Sequence, residues 1–294
     1  MTRLPQRKNL KRAAQYKLQA TLALLQEHRS KRASTPFRLF EQPSWRIKVE
    51  KTRFAERHPY LFVAIMEIVI IFVYLVAGTI AHFANLSNLG LYGLANFVLT
   101  ILVAVMLTLM RWWKAVGFRA ADRRNDLLYF IVPFLPIIIN LIPGVEVTSF
   151  RYLLEVLVIT LMVGFVEESI FRGLMLNALK ARGIWKAAII TALLFGLTHA
   201  LNVLAGKSVA ENVAQICYAV AIGFAFAALV LQKGILWPLV LAHWFINFTN
   251  FIQSPSIIYP EPWNVLIVAS LTVIFTGYGI FVMLQKNQTK AAQA

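Results

Sequence analysis

The sequence predicts an all-α, polytopic integral membrane protein with about eight transmembrane helices and both termini in the cytoplasm. Hydrophobic residues make up 59% of the 294-residue chain and charged residues only 14%, which is less charge than a soluble domain normally carries. Apolar stretches long enough to cross a bilayer recur between residues 60 and 284. Basic residues are concentrated in alternate loops, which favours one orientation of these spans.

The predicted spans follow one another with short connections and without an internal repeat. They are residues 60–83, 89–110, 127–143, 151–180, 185–204, 209–232, 235–252 and 263–284. The third span contains Pro133, Pro136 and Pro143. Because proline removes a helical hydrogen bond, we expect this span to be kinked or broken.

Loop charges orient the predicted spans. The loops after spans 2, 4 and 6 and the C-terminal tail carry most of the basic residues outside the N-terminal segment: Arg111, Lys114, Arg119, Arg123, Arg124, Lys180, Arg182, Lys186, Lys233, Lys286 and Lys290. The opposite loops carry only Arg151 and Lys207, at span edges. This asymmetry predicts that the basic loops and both termini are cytoplasmic.

The chain divides into a basic cytoplasmic segment over residues 1–59, a membrane domain over 60–284, and a short cytoplasmic tail over 285–294. Residues 1–60 hold fifteen Lys and Arg against four Glu. Because this segment runs directly into a span, we expect it to bind anionic lipid and not nucleic acid, with Asn9–His28 as an amphipathic surface helix. No early apolar region precedes the first span, so no cleavable signal peptide is expected. The single cysteine, Cys217, excludes an intramolecular disulfide framework.

Charged residues stand in the middle of the fourth span, in the sequence GFVEESIFRGLM. A charged side chain near the centre of a membrane helix costs about 2.5–3.5 kcal/mol on insertion scales, so intramembrane charges indicate a functional site by default. The fifth span adds His199 and the seventh adds His243 and Asn247. The first span contains Glu67, for which the sequence provides no partner.

Helix rise places these groups at similar depths. At about 1.5 Å per residue, Glu167, His199 and Asn247 lie roughly 20–22 Å from the cytoplasmic ends of their spans, and His243 about 15 Å. Independent structural polar residues are not expected to align in this way. The alignment therefore predicts one shared polar site between three helices.

The fourth span separates its charges by face. Glu168 and Arg172 are four residues apart and are expected to form an ion pair. Glu167 is turned about 100° from Glu168, so it is expected to face a cavity. A carboxylate in a low-dielectric cavity beside a histidine is suited to act as a general base, and His199 is the expected neighbour.

Three motifs resemble those of the CPBP family of CAAX proteases and bacteriocin-processing membrane proteins. EESIFR matches the family motif EExxxR, FGLTH matches FxxxH, and HWFIN supplies a histidine followed by asparagine four residues later. The motifs occur in the family's order on separate predicted spans. The resemblance covers residues 150–252, which would form the peptidase-like core.

The resemblance implies a glutamate-dependent intramembrane endopeptidase of a bacterial plasma membrane that acts on a membrane-associated peptide or protein, by CAAX-type or bacteriocin processing. It implies that Glu167 and His199 activate a water molecule. It further implies that His243 and Asn247 support the oxyanion, with Glu168 and Arg172 as a supporting pair. No cofactor is implied, and the sequence does not choose between substrates.

Alternative functions remain open at the sequence level. Two histidines and two glutamates are a possible zinc site, although the chain lacks the HExxH arrangement of zinc peptidases. A non-catalytic immunity or scaffold protein would retain the same fold. A transporter is the weakest alternative, because no inverted repeat is evident. Asn202 and Asn247 are also the kind of residue that joins membrane helices by hydrogen bonds.

Overall fold

The computed structural model describes residues 54–203, 206, 208–254 and 261–285. The predicted amphipathic helix Asn9–His28, almost all of the basic segment and nearly all of the C-terminal tail lie outside these residues. The helices are α1 (Pro59–Phe83), α2 (Asn88–Leu109), α3 (Leu135–Leu141), α4 (Phe150–Glu167), α5 (Ile184–Thr198), α6 (Val209–Lys233), α7 (Trp237–Ile252) and α8 (Glu261–Leu284). The described residues form no named strand, and one isolated antiparallel bridge joins Val145 to Gln253.

Six helical stretches in the described residues are long and apolar enough to cross a membrane. They are Pro59–Phe83, Asn88–Leu109, Arg124–Leu141, Ile184–Val203, Val209–Lys233 and Trp263–Leu284. The protein is therefore a helical integral membrane protein, as predicted. The other two predicted spans are also helical, but α7 has only 16 residues. The 18 residues of α4 include three charged ones, Arg151, Glu155 and Glu167.

The third predicted span is broken, as its prolines indicated. It consists of two 3₁₀ segments, Arg124–Phe130 and Val132–Phe134, followed by the seven-residue helix α3. Pro133 lies in the second 3₁₀ segment and Pro136 in the first turn of α3. Proline is tolerated in these positions because the first amide groups of a helix have no intrahelical acceptor.

Serine side chains cap the starts of α2, α4 and α6. The Ser87 side chain accepts from the Gly90 amide before α2, and the Ser149 side chain accepts from the Tyr152 amide before α4. Ser208 and Glu211 form a reciprocal capping box at the start of α6. These side chains satisfy amide groups that would otherwise lack a partner at the helix starts.

Hydrogen bonds between turns show which connections lie at the same end of the helical bundle. The amide of Leu236, after α6, donates to the carbonyl of Gly117, after α2, at 2.9 Å. At the other end, the amide of Ser254, after α7, donates to the carbonyl of Gly144, before α4, at 2.9 Å. The turns after α2 and α6 thus share one end, which agrees with the alternation that the loop charges predict.

An arginine holds the turn after α6. The Arg119 side chain donates through Nε to the Gly234 carbonyl at 2.9 Å, and it also bonds both carboxylate oxygens of Asp122 at 2.7 and 3.0 Å. These hydrogen bonds, together with the positive charge of Arg119, lower the pKa of Asp122 below its ordinary value.

Small residues let the helices that carry the site approach each other closely. A Cβ atom placed on Gly164 of α4 would lie 3.0 Å from both the Trp244 amide nitrogen and the Val240 carbonyl oxygen of α7. A Cβ atom on Gly196 of α5 would lie 2.4 Å from a methyl carbon of Val220 on α6. Such close backbone contact is typical of helix pairs in membranes.

Candidate active site

A π-helical segment carries most of the charged motif. After Glu167, α4 changes to a π-helix over Glu168–Met175, and all eight of its residues are buried. Regular α-helix returns for one turn at Leu176–Leu179. The sequence predicted a continuous span here and did not predict the change in hydrogen-bond register. π-Helical turns are rare and frequently occur at functional sites.

The ion pair predicted between Glu168 and Arg172 is present. Oε1 of Glu168 lies 3.0 Å from Nη1 of Arg172, and the two side chains are 0% and 1% exposed. The guanidinium carbon lies 3.9 Å from the ring centre of Phe195 on α5, which adds a cation–π contact. A Cβ atom on Gly223 of α6 would lie 2.9 Å from Nη2 of Arg172, so glycine at this position makes room for the guanidinium.

Glu168 has a second partner that sequence reasoning missed. The same oxygen, Oε1, lies 2.7 Å from Nδ1 of His243 on α7. Because a carboxylate accepts, Nδ1 of His243 carries the proton in this contact. Glu168 therefore joins the π-helical segment to α7 as well as to Arg172. The similar depth of the polar groups on the fourth and seventh predicted spans was the sequence signal for this contact.

Glu167 lies on the other side of the same histidine. Its Oε2 is 3.5 Å from Nε2 of His243, and its side chain is 20% exposed, whereas Glu168 is 0% exposed. His243 is thus flanked by a carboxylate at each ring nitrogen. The two adjacent glutamates occupy different surroundings, which the sequence had predicted from their separation around the helix.

His199 is positioned by the end of α5. Its Nδ1 lies 2.8 Å from the carbonyl oxygen of Phe195, one turn earlier, and the helix narrows to a 3₁₀ turn that begins at His199. Because the carbonyl can only accept, Nδ1 is the donor, and Nε2 of the neutral ring carries the lone pair. The Phe195 ring packs edge-on against both His199 and His243, with ring centres 5.0 and 6.0 Å away.

One cavity gathers the predicted residues from four segments. With a volume of about 80 Å³, it is lined by Glu168, Arg172, His199, His243 and Asn247 among others. Asn247 lies one helical turn after His243, on the same face of α7. Glu167 is not among the lining residues but contacts His243 at the edge of this group. The shared space predicted from depth therefore contains His199, His243 and Asn247, whereas Glu167, which was expected to face the cavity, lies at its edge because Glu168 takes the lining position.

Polar contacts from α1 and α2 surround the cavity. Glu67, which had no partner in the sequence, accepts a hydrogen bond from Thr198 at 2.7 Å, directly beside His199. Tyr92 of α2 donates to Asn202 at 3.4 Å, and Asn202 donates to Gln215 of α6 at 3.0 Å. Asn202 therefore joins helices by hydrogen bonds, as one interpretation of the sequence expected.

One alternative that the sequence left open is a zinc site made of two histidines and two glutamates. Within residues 54–203, 206, 208–254 and 261–285, no three His, Cys, Asp or Glu side chains are grouped so that they could hold a metal ion. The acidic and histidine side chains of the site are paired with each other, with Arg172 or with the backbone in the contacts described above.

The fold and this arrangement define a class: a helical membrane protein with a buried site of carboxylate, histidine and amide groups. Residues 149–249 match the family model described as type II CAAX prenyl endopeptidase Rce1-like. This match confirms the resemblance to the CPBP family that the three motifs predicted, and it covers about a third of the chain. No curated protein and no solved structure matched the chain.

Proposed function

We propose that the protein is an intramembrane endopeptidase that uses Glu167 and His199 to activate water, and His243 and Asn247 to stabilise the oxyanion. The proposal rests on the position of His243. Its Nδ1 lies 2.7 Å from Oε1 of Glu168 and its Nε2 lies 3.5 Å from Oε2 of Glu167. The ring lines the same cavity as His199 and Asn247. The Rce1-like domain supports the same reaction class. The proposed location is the plasma membrane of a bacterium.

The surroundings of the two glutamates support assigning the base to Glu167. Glu168 is fully buried and already bonds Arg172 and His243, so its charge is committed to holding the site together. Glu167 is partly exposed and has no such buried arginine partner among its described contacts. A general base must reach a water molecule, and the more accessible carboxylate meets this requirement.

The short distance between Glu167 and His243 suits attack on one carbonyl group. A carbonyl carbon and its oxygen are only about 1.2 Å apart, so the base that holds the attacking water and the donor that binds the oxyanion must be neighbours. Oε2 of Glu167 and Nε2 of His243 are 3.5 Å apart. In the proposed step the water oxygen bonds to the carbonyl carbon, Glu167 accepts the proton released, and Nε2 of His199 accepts a hydrogen bond from the same water.

His243 must donate through Nε2 to serve the oxyanion. Its Nδ1 proton is already directed at Glu168, so donation to a second acceptor requires a proton on Nε2 as well. The ring then carries a proton on each nitrogen and has a carboxylate beside each of them. Asn247 supplies an amide donor on the same helical face. Collapse of the intermediate breaks the C–N bond and transfers the proton to the leaving nitrogen.

The proposed substrate is a membrane-associated peptide or protein, processed as in CAAX-type cleavage or in bacteriocin maturation. The cavity opens within a helical membrane domain, so a substrate held at the bilayer is presented at the right depth. The proposal has no cofactor. Anionic lipids are the proposed partners of the basic N-terminal segment.

Peptide cleavage in detergent tests the proposal. Wild-type protein and the Glu167→Gln variant would be incubated with a library of lipid-anchored peptides, with and without a chelator, and products identified by mass spectrometry. We expect cleavage by the wild type that survives chelation and is lost in the variant. Activity that disappears with the metal and returns with zinc would support a metallopeptidase. Folded wild-type protein that cleaves no peptide would support the non-catalytic scaffold.

A further inference from the structure

One face of α6 forms a wall of the active-site cavity that no motif includes. The residues of α6 that line the cavity are Gln215, Tyr218, Ala219, Ile222 and Phe226. Their spacing of three, four and seven residues along the helix places them on one stripe. The stripe is polar at Gln215 and Tyr218 and apolar at the other three positions. It faces the helices that carry the histidines and glutamates.

Gln215 and Tyr218 are polar residues of the cavity lining that have no role in the proposed reaction. The other polar lining residues are Glu168, Arg172, His199, His243 and Asn247, which the reaction already occupies. Gln215 and Tyr218 lie three residues apart on α6. Their carboxamide and hydroxyl offer both donors and acceptors.

The Tyr218 hydroxyl has an unmet hydrogen-bonding capacity. Its oxygen is buried and has no protein hydrogen-bond partner in the part of the chain that the structure describes. The ring itself is fixed against Phe275 of α8, with ring centres 6.1 Å apart. Because a buried polar group without a partner is costly, a rigidly held hydroxyl at a cavity indicates a ligand that completes it.

Gln215 is held in place by a neighbouring amide. The Asn202 side chain donates to Oε1 of Gln215 at 3.0 Å, and Asn202 in turn accepts from Tyr92 of α2. This contact orients the carboxamide of Gln215 with its oxygen towards Asn202 and its NH₂ group turned away from that donor. Gln215 thus lines the cavity with a carboxamide whose orientation is fixed by Asn202.

A peptide substrate needs such groups. Each residue of an extended peptide carries an amide N–H and a carbonyl that must find partners once they leave water for a membrane-embedded cavity. The catalytic residues engage the scissile carbonyl only. Groups on either side of that bond therefore require further donors and acceptors that lie in the same cavity and are not consumed by the reaction.

We propose that this face of α6 is the substrate-binding wall: Gln215 and Tyr218 hydrogen-bond to the peptide main chain beside the scissile bond, and Ala219 and Ile222 contact the side chain of an adjacent substrate residue. The inference rests on the proposed peptidase function and extends it to substrate recognition. Ala219 and Ile222 are both apolar and are only 3% and 6% exposed. Because they offer no polar group, the substrate side chain that contacts them is apolar. The small size of Ala219 leaves space for it.

The hydrogen-bonding part is tested with Tyr218→Phe, which removes the hydroxyl and keeps the ring. The probe is a set of lauroylated peptides with central residues varied among Gly, Ala, Val, Leu and Phe. Binding is measured by fluorescence anisotropy in the Glu167→Gln background, and KM and kcat in the wild-type background. We expect Tyr218→Phe and Gln215→Leu to weaken binding and raise KM by about 3- to 10-fold, the loss typical of one hydrogen bond, with little change in kcat. Tyr60→Phe, at an exposed position on α1, is the matched control.

The apolar part is tested with Ala219→Leu on the same peptide set. We expect this variant to discriminate against peptides with Leu or Phe at one position and to retain those with Gly or Ala. An equal loss for every peptide, or unchanged binding in all three variants, would overturn the inference. Peptides that bind but are not cleaved by the wild type would reject the proposed function while the binding data still decide the role of α6. Failure of every peptide to bind wild-type protein would overturn the inference itself.

Discussion

At the scale of single residues, the two adjacent glutamates have different surroundings. One buried oxygen of Glu168 contacts both Arg172 and His243. Glu167 meets only the far nitrogen of the same histidine in its described ion-pair contacts. The change from α4 to the π-helical segment falls between these two residues, and it leaves Glu168 buried among its partners and Glu167 at the edge of the site.

Replacing Glu168 is expected to affect stability before chemistry. Glu168→Gln leaves the buried Arg172 charge without its counter-charge, and removing one partner of a buried pair typically costs about 3–5 kcal/mol in free energy of unfolding. The measurement is reversible unfolding in mixed micelles. The matched control is Glu155→Gln, which breaks an exposed pair with Arg151 and is expected to cost about 0–1 kcal/mol. Similar costs for both variants would contradict a supporting role for Glu168.

Asn247 is expected to act on the transition state. Removing one oxyanion donor typically lowers kcat by about 10²–10³-fold, so Asn247→Ala should lower kcat by this amount with little change in KM. Steady-state kinetics with a cleaved library peptide provide the measurement. Asn88→Ala is a suitable control, because Asn88 is exposed at the start of α2 and is not one of the residues that line the cavity. A raised KM with unchanged kcat would assign Asn247 to substrate binding instead.

The sequence predicted the motif residues of this site and one contact within a helix, but not the contacts between helices. Spacing alone predicts the Glu168–Arg172 contact, because residues four apart on a helix are neighbours. His243 donates a hydrogen bond to Glu168, and Thr198 donates one to Glu67. Both bonds join residues that are far apart in the chain. Such contacts depend on how the helices rotate against each other, and residue spacing within one helix carries no information about that rotation.

At the scale of the elements, the helices follow the hydrophobic pattern closely. The predicted span 60–83 corresponds to Pro59–Phe83, and the proline-rich third span is broken as expected. The π-helical segment Glu168–Met175 was not predicted. Its hydrogen-bond register differs from that of an α-helix by one residue, and the apolar residues around the motif are compatible with both.

The basic segment before α1 is expected to bind the membrane surface without taking part in the reaction. Fifteen Lys and Arg within residues 1–60 attract anionic lipid, and added salt weakens this attraction. Deletion of residues 1–45 should reduce co-sedimentation with vesicles containing phosphatidylglycerol. The same deletion should leave detergent-phase peptide cleavage near the wild-type rate. Loss of cleavage by a folded deletion variant would assign the segment to substrate recruitment.

At the scale of the whole molecule, alternate turns meet at the same end of the bundle. The turns after α2 and α6 contact each other, as do the segments before α4 and after α7. The predicted orientation places the first pair in the cytoplasm, because these turns carry the basic residues. In the proposed function, peptides anchored in the same bilayer are the substrates that would reach the cavity.

Cysteine labelling in intact cells tests this orientation. With Cys217 replaced by serine, single cysteines at the exposed positions Ser87 and Ser149 should react with an impermeant maleimide from outside. A cysteine at the exposed position Asn125 should react only after the cells are opened. The positive-inside rule gives the reason, since the loop that contains Asn125 also carries Arg123 and Arg124. The reverse pattern would place both termini outside the cytoplasm.

The central claim is that the Glu167 carboxylate activates the water that cleaves a peptide bond. The most direct measurement is the single-turnover rate of hydrolysis of a bound peptide by the wild type, Glu167→Gln and the control Glu155→Gln, in protein shown to be folded. Glutamine keeps the shape of the side chain and removes its basicity. We expect Glu167→Gln to bind the peptide but to hydrolyse it about 10²–10⁴-fold more slowly than the wild type. We expect Glu155→Gln to hydrolyse the peptide at the wild-type rate. Hydrolysis by Glu167→Gln at the wild-type rate, with the rate lost in folded Glu168→Gln instead, would contradict this claim.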